Sequence, residues 1–266
     1  MRLSSVGSWR GLLRRANTRG GALVQCFALS LLIAGNAAAQ VRYDNWIYYQ
    51  RNTDDSTRWQ YRMRFDVPFA LDGGWTFTQR AYLPLVYYTD RTGPENPGGG
   101  WKAGTGDWFF DETFTTPELA KNTRGILGAR FILPTGGGAP FGGGQYQVAP
   151  FAGMSFAFPD SGLTITPLFR YFMSVHATEE GAGRVRKLDF FPTVAKKVAE
   201  GWTVILWNEN AITYNQVSRK WFVPIEAQLV RRARKDLEFA FGAAYGAVRD
   251  DPQFLTQVFT RVTLYF

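Results

Sequence analysis

The sequence predicts an all-β protein, an antiparallel up-and-down transmembrane β-barrel of about twelve strands that follows a cleaved signal peptide. Three observations lead there. The 266-residue chain opens on a basic, apolar, small-residue leader. After it comes a series of long segments in which apolar and polar residues alternate. The connections between those segments alternate as well, tight then long, counting back from a last strand that ends in Phe266.

In the leader, Arg2, Arg10, Arg14, Arg15 and Arg19 form a basic region, Ala22 to Ala34 an apolar core, and Ala37-Ala38-Ala39 a small-residue cleavage site. The expected division is therefore residues 1–39, signal peptide, and residues 40–266, barrel. Arg14-Arg15 lacks the apolar continuation of a twin-arginine signal, so export by the Sec route is expected. Cys26, the one cysteine, stands behind Gln25 where a lipoprotein signal wants a small residue, and residues 40–266 hold no disulfide framework. The leader carries five of the thirty basic residues and none of the twenty-two acidic ones, so the formal +8 falls to about +3 for residues 40–266. That small excess, with no clustered basic stripe, excludes a nucleic-acid partner.

Arg58–Phe69 shows the alternation most clearly. Trp59, Tyr61, Met63, Phe65, Val67 and Phe69 make one apolar face, and Arg58, Gln60, Arg62, Arg64, Asp66 and Pro68 the other. It is longer than a usual strand of about five or six residues and long enough for a tilted membrane strand of about nine to eleven. Comparable segments precede and follow it: Arg42–Arg51, Trp75–Tyr87, Gly104–Phe114, Asn122–Leu133, Gln145–Phe158, Leu163–Val175, Arg186–Val198, Trp202–Tyr214, Lys220–Val230, Leu237–Val248 and Phe254–Phe266. Tight connections occur at Leu71–Gly74, Pro117–Lys121, Pro159–Gly162, Ala199–Gly201 and Arg231–Asp236. Longer or glycine-richer ones lie at Tyr88–Lys102, Pro134–Gly144, His176–Val185, Asn215–Arg219 and Arg249–Pro252. Short periplasmic turns opposite long outer loops are the expected topology, a parity that a soluble sandwich has no reason to keep. Trp75 and Trp202, each leaving a tight turn, and Tyr87, Tyr88, Tyr214 and Trp221 at the other strand ends suit two aromatic girdles. Against the pattern stand prolines inside the segments, at Pro68, Pro84, Pro150, Pro167, Pro192 and Pro224, since proline cannot donate to a ladder.

A set of motifs runs in order along most of residues 40–266. Gly74-Trp75-Thr76 leads into Leu83-Pro84-Leu85; Gly104-Thr-Gly106-Asp107 and Gly128 through Thr135 follow. Gly201-Trp-Thr, Asn208-Glu209, Lys220 through Ile225 and Phe259 through Phe266 complete it. In this the chain resembles the outer-membrane transporters known as MetA-pathway of phenol degradation proteins, sometimes mislabelled neuromedin U-like. The resemblance implies a small outer-membrane barrel assigned to transport, loosely associated with aromatic catabolites. It brings no cofactor and no catalytic residues. The long Arg91–Lys102 loop departs from it.

If the Trp59 face meets lipid, the alternate residues face the pore, because charges on the lipid face cost about 2–4 kcal/mol at mid-depth. That places Arg58, Arg62, Arg64, Arg80, Arg124, Arg130, Arg170 and Arg261 inward, with Asp66, Asp107, Asp111, Asp189, Glu209, Glu226 and Glu238. Two arrangements are open. Arginines and carboxylates pair across the barrel and plug it, or an arginine excess, led by Arg62, Arg64 and Arg80, makes a positive pore for small anions. Catalysis is not expected. The one histidine, His176, shares a face with Ser174, but no third group is evident to orient the imidazole. The Gly98–Gly100, Gly136–Gly138 and Gly142–Gly144 runs lack the Gly-Lys-Ser/Thr of a phosphate loop. The expected function is passive passage of small solutes, anionic or aromatic acids among them, through a bacterial outer membrane. A closed structural or surface-interaction barrel is the alternative, and a lipid-modifying hydrolase a more distant one. Expected partners are membrane lipid, the solute and, through the strand ending in Phe266, the barrel-assembly machinery. No cofactor and no metal are expected.

Overall fold

Residues whose side chains alternate in character over a dozen positions can satisfy both faces only in a sheet, and a sheet avoids exposed edges only by closing. The computed structural model describes residues 40–136, 138–251 and 253–266, so the expected leader lies outside it. It contains β1 (Arg42–Arg51), β2 (Thr57–Ala70), β3 (Thr76–Thr89), β4 (Lys102–Gly104), β5 (Trp108–Ala120), β6 (Thr123–Leu133), β7 (Gln145–Phe158), β8 (Leu163–Ala177), β9 (Arg186–Ala199), β10 (Trp202–Leu206), β11 (Ile212–Asn215), β12 (Lys220–Arg234), β13 (Leu237–Arg249) and β14 (Thr256–Tyr265). β4 and β5 lie end to end beside β3, and β10 and β11 end to end between β9 and β12. The fourteen segments therefore form twelve wall strands. All neighbours are antiparallel, and β1 pairs with β14 from Arg42↔Tyr265 to Arg51↔Thr256, which closes the barrel.

The outer wall is apolar and open to its surroundings. Val175, Ile225, Phe241, Phe169 and Ile47 are all more than half exposed. Inward-facing side chains of the wall are buried, among them Asp44, Arg64, Asp111, Glu226 and Arg261. This inverts a water-soluble protein and matches a barrel whose solvent is hydrocarbon. Near the loop end, stacked or tilted aromatic pairs such as Tyr49–Trp59, Tyr88–Trp101 and Tyr214–Trp221 lie on the outer face. Tyr87 departs from the expected girdle. An extra residue, Leu85, bulges β3 against β2 between Val86 and Pro84, and Tyr87 lines the interior instead.

The same irregularities explain most of the prolines. Pro84 sits at that bulge, and Pro224 sits at a second one, between β12 and β13. Pro150 and Pro167 lie where β7 and β8 skip ladder positions. Pro192 lies between Phe190, which pairs with Ile212, and Val194, which pairs with Leu206, so it borders a stretch where the next wall strand leaves the sheet. Each pairs on one flank only and has no ladder partner on the other among the described residues, the kind of position at which a residue without an N–H is tolerated.

One interior side is packed with rings. β13 turns small residues inward, and a side chain at Gly242 would meet the Phe259 ring at 2.2 Å. The space goes to Phe259, Trp46 and Tyr48, whose rings lie 5.4–5.6 Å apart. Across the loop end, Asp107 accepts hydrogen bonds from the backbone N–H of Gly136 (3.0 Å) and Gly143 (2.7 Å), tying one glycine-rich loop to the rim. Burial raises the Asp107 carboxyl above its ordinary value, the two glycine N–H groups pull it back only in part, and nearby Glu179 adds to the rise.

Candidate functional site in the barrel lumen

Cross-strand register decides which lumen charges meet. Asp44 faces Arg64 across β1 and β2, Asp66 faces Arg80 across β2 and β3, and Asp111 faces Arg80 on one side and Arg130 on the other. Arg64 Nη2 lies 2.6 Å from Asp44 Oδ2 and Arg64 Nε 3.4 Å from Asp66 Oδ1. Arg80 grips Asp66 with both prongs, at 2.7 and 2.9 Å. Arg130 grips Asp111 the same way, at 2.6 and 2.7 Å. On the other flank Arg42 and the Thr263 hydroxyl hold Asp44, at 2.9 and 2.6 Å, and Arg261 pairs with Glu238. The result is a belt of alternating charge running around the inner wall. Bidentate pairs of this kind are among the stronger hydrogen bonds, and removing one partner of a buried pair costs about 3–5 kcal/mol. Tyr82 lies inside the belt, with the guanidinium carbons of Arg130, Arg64, Arg62 and Arg80 within 5.0–5.8 Å of its ring centre.

Between β10 and β11 the wall strand turns inward. Trp207 takes φ of 49°, donates its indole N–H to Pro224 O (2.8 Å), and gives its own carbonyl to the Thr193 hydroxyl (2.6 Å). The next three backbone N–H groups converge on one buried carboxylate. Asn208 N reaches Glu226 Oε1 at 3.2 Å, Glu209 N the same oxygen at 3.0 Å, and Asn210 N reaches Oε2 at 2.6 Å. Asn210 Nδ2 adds a bond to Glu226 (2.9 Å) and one to Gln257 (2.7 Å). Glu226 so replaces the ladder partners that residues 207–211 gave up.

This inward bulge divides the lumen. A compartment of about 670 Å³ extends toward the tight turns, and one of about 230 Å³ lies toward the loops. Arg62, Glu209, Asn210 and Gln253 line both and so mark the narrow level between them. There the Tyr48 hydroxyl donates to Glu209 Oε2 (3.2 Å) and accepts from Arg62 Nη1 (3.3 Å).

Of the residues expected from sequence, Arg62, Arg64, Arg80, Arg130, Arg170, Arg261 and Glu209 line the larger compartment, and Arg58 the smaller. Arg124 lines neither; it is exposed near the Lys121–Asn122 turn, in register with Glu118. Glu226 is buried under the bulge rather than in the bore. Arg64 and Arg80 do not form an unpaired positive ladder, because Asp44, Asp66 and Asp111 engage them. Arg58, Arg62 and Arg170 carry no carboxylate ion pair among the described residues. Each has its guanidinium near an aromatic face instead: Tyr87 at 5.2 Å, Tyr48 at 4.7 Å and Phe191 at 5.1 Å. Sequence reasoning passed over Asp44, Tyr48 and Tyr82, although alternation in β1 and β3 puts all three on the inward face. At the loop end, the Ser174 hydroxyl accepts the Val185 N–H (3.2 Å) and His176 stacks on Tyr146. No hydrogen bond joins Ser174 to His176 among the described residues.

No known family pattern matches the chain, and no curated protein matches it in sequence. Solved structures do match in fold. The chain is similar to an outer membrane channel from Pseudomonas putida F1 (TM-score 0.67, 11% identity, covering 86% of this chain and 96% of that one). It is also similar to the NanC porin (0.54, 12%, 85% and 98%) and the KdgM porin (0.50, 8%, 85% and 99%). At such identities the likeness is one of fold: a closed twelve-stranded antiparallel barrel.

Proposed function

We propose that the protein is a bacterial outer-membrane channel for passive passage of small solutes, with a preference for anions. The observation that carries this reading is the placement of three arginines without carboxylate partners at successive levels: Arg58 in the smaller compartment, Arg62 at the narrow level, Arg170 in the larger one. Arg42, Arg64, Arg80, Arg130 and Arg261 share the carboxylates of Asp44, Asp66, Asp111 and Glu238, while Asp189 and Glu209 carry no ion pair among the described residues, so the lumen keeps a small positive excess that these three arginines place along the path of a solute. The apolar outer wall supports a membrane location, and the barrels of similar fold include proteins described as an outer membrane channel and as porins. The ordered motifs shared with MetA-pathway transporters favour small organic acids, aromatic ones included, as solutes. In this reading residues 1–39 direct export by the Sec route. The β14 end, where Phe266 is 74% exposed, is what the assembly machinery recognises.

The test is planar-bilayer conductance of protein purified from outer membranes, with reversal potentials in a salt gradient. Anion selectivity that falls on Arg62→Gln is the expected result. Absence of channels at any voltage refutes the channel, and cation selectivity refutes the sign.

A further inference from the structure

Arg170 is only 9% exposed and makes no hydrogen bond or ion pair among the described residues; its Nε is buried without a partner. No carboxylate lies within ion-pair distance of the guanidinium among the described residues, and of the nearby ones Asp111 alone has both oxygens engaged. Asp189, directly opposite on β9, accepts the Thr213 hydroxyl at 2.7 Å, and Asp111 is held at both oxygens by Arg130. What surrounds the guanidinium is aromatic: Phe151, Phe172 and Phe191, from three adjacent strands, with ring centres 5.3, 5.9 and 5.1 Å from Arg170 Cζ. All four residues line the larger compartment.

A buried guanidinium is costly to leave without an acceptor, and phenylalanine faces offset that cost only in part. The two terminal nitrogens of Arg170 are not among the buried atoms, and an anion from the lumen supplies them an acceptor in the forked geometry that carboxylates fit best. The ring walls offer no hydrogen bonds to the rest of the ligand, so a polyhydroxylated body would lose its water for nothing there, while an apolar body is favoured. We infer that Arg170, with Phe151, Phe172 and Phe191, forms a saturable subsite for monocarboxylates that carry an apolar body. This rests on the channel reading in supposing that the ligand arrives through the lumen.

Titration calorimetry on the detergent-solubilised protein tests it, with benzoate, acetate and gluconate as probes. Benzoate is expected to bind saturably and the other two far more weakly. Arg170→Gln should weaken benzoate by about tenfold to a hundredfold, the range of a lost charge-assisted hydrogen bond. The substitution removes an unpaired buried charge, so the barrel should still form, as heat-dependent gel mobility will show. Phe191→Ala retains the charge and should weaken benzoate but not acetate. No benzoate binding, equal binding in Arg170→Gln, or gluconate binding as tightly as benzoate overturns the subsite. Conductance without benzoate binding refutes the subsite alone; benzoate binding without conductance refutes the channel reading and leaves the subsite standing.

Discussion

Glu226→Ala is the perturbation that most directly tests the inward bulge. In the native barrel the carboxylate receives three consecutive backbone N–H groups, at 3.2, 3.0 and 2.6 Å, and the Asn210 side chain at 2.9 Å. Alanine leaves those donors without an acceptor. A buried unmet donor costs about 1–3 kcal/mol; Asn208, Glu209 and Asn210 border the larger compartment, which limits their desolvation, so the low end applies and the three lose roughly 3 kcal/mol together. At about 1.4 kcal/mol per decade that is a hundredfold shift away from the held bulge. The wall itself does not depend on Glu226, because β9–β10 and β10–β12 keep their ladders beside the gap. The expected phenotype is therefore an intact, detergent-resistant barrel whose two compartments merge, seen in single-channel recording as a larger or flickering conductance. Glu226→Gln, which keeps one acceptor oxygen but loses the charge, should fall between. Native conductance in Glu226→Ala would refute the bulge as the constriction, and loss of the barrel would show that Glu226 holds the wall instead.

Other expectations follow from the same geometry. Glu209 faces the narrow level beside Arg62 through Tyr48, so Glu209→Gln should raise the anion-to-cation permeability ratio measured from reversal potentials. Glu112 is the carboxylate on the outer face of β5, where its contact is Gln79 Nε2 at 3.4 Å and its Oε2 is buried without a partner. Glu112→Leu should stabilise the barrel by roughly 1–2 kcal/mol in denaturant titration in lipid, acidic side chains costing less at mid-depth than basic ones. Asp107 has its carboxyl raised above 3.8, chiefly by burial, so its deprotonation is less favourable in the folded loop than in an unfolded chain. The folded loop is thus most stable below that value and loses stability as pH rises through the raised one, even though the Gly136 and Gly143 N–H groups favour the ionised carboxyl; amide exchange at those glycines will report the opening. Asp107→Asn should flatten the dependence.

The strands were legible because each is long and alternates, and because tight and long connections keep their parity from β14 back to β1. The inward set was legible from the same alternation, which carries Asp66, Arg80, Asp111 and Arg130 to one face. Who pairs with whom was not. Partnership depends on cross-strand register, and register is reset by bulges such as that at Leu85, which also turned Tyr87 inward. Arg124 misled because alternation gives a face but not a height, and its height is the rim. The break at 207–211 was hidden inside what reads as one long strand, Trp202–Tyr214. Two signals mark it in retrospect: the polar run Asn208-Glu209-Asn210, and prolines at 192 and 224 on both neighbouring strands, where a continuous wall could not have tolerated them.

The pairing around the wall bears on how such a barrel divides its tasks. Had arginines and carboxylates met across the bore, side chains would have closed it, and charge and width would be set by the same residues. Register places the partners on neighbouring strands instead, where opposed side chains are about 5 Å apart. The belt from Arg42 to Arg130 therefore lies along the wall and leaves the larger compartment open. Narrowing falls to a backbone excursion held by Glu226, and the sign of the field to the arginines the belt does not use. Size and charge discrimination should then separate: Glu226→Ala should change conductance with little effect on the sign of selectivity, and Arg170→Gln the reverse. Glu226 and Arg170 share no hydrogen bond or ion pair, so the two effects should add in the double variant. Strong non-additivity would mean that the bulge and the unpaired arginines act as one element after all.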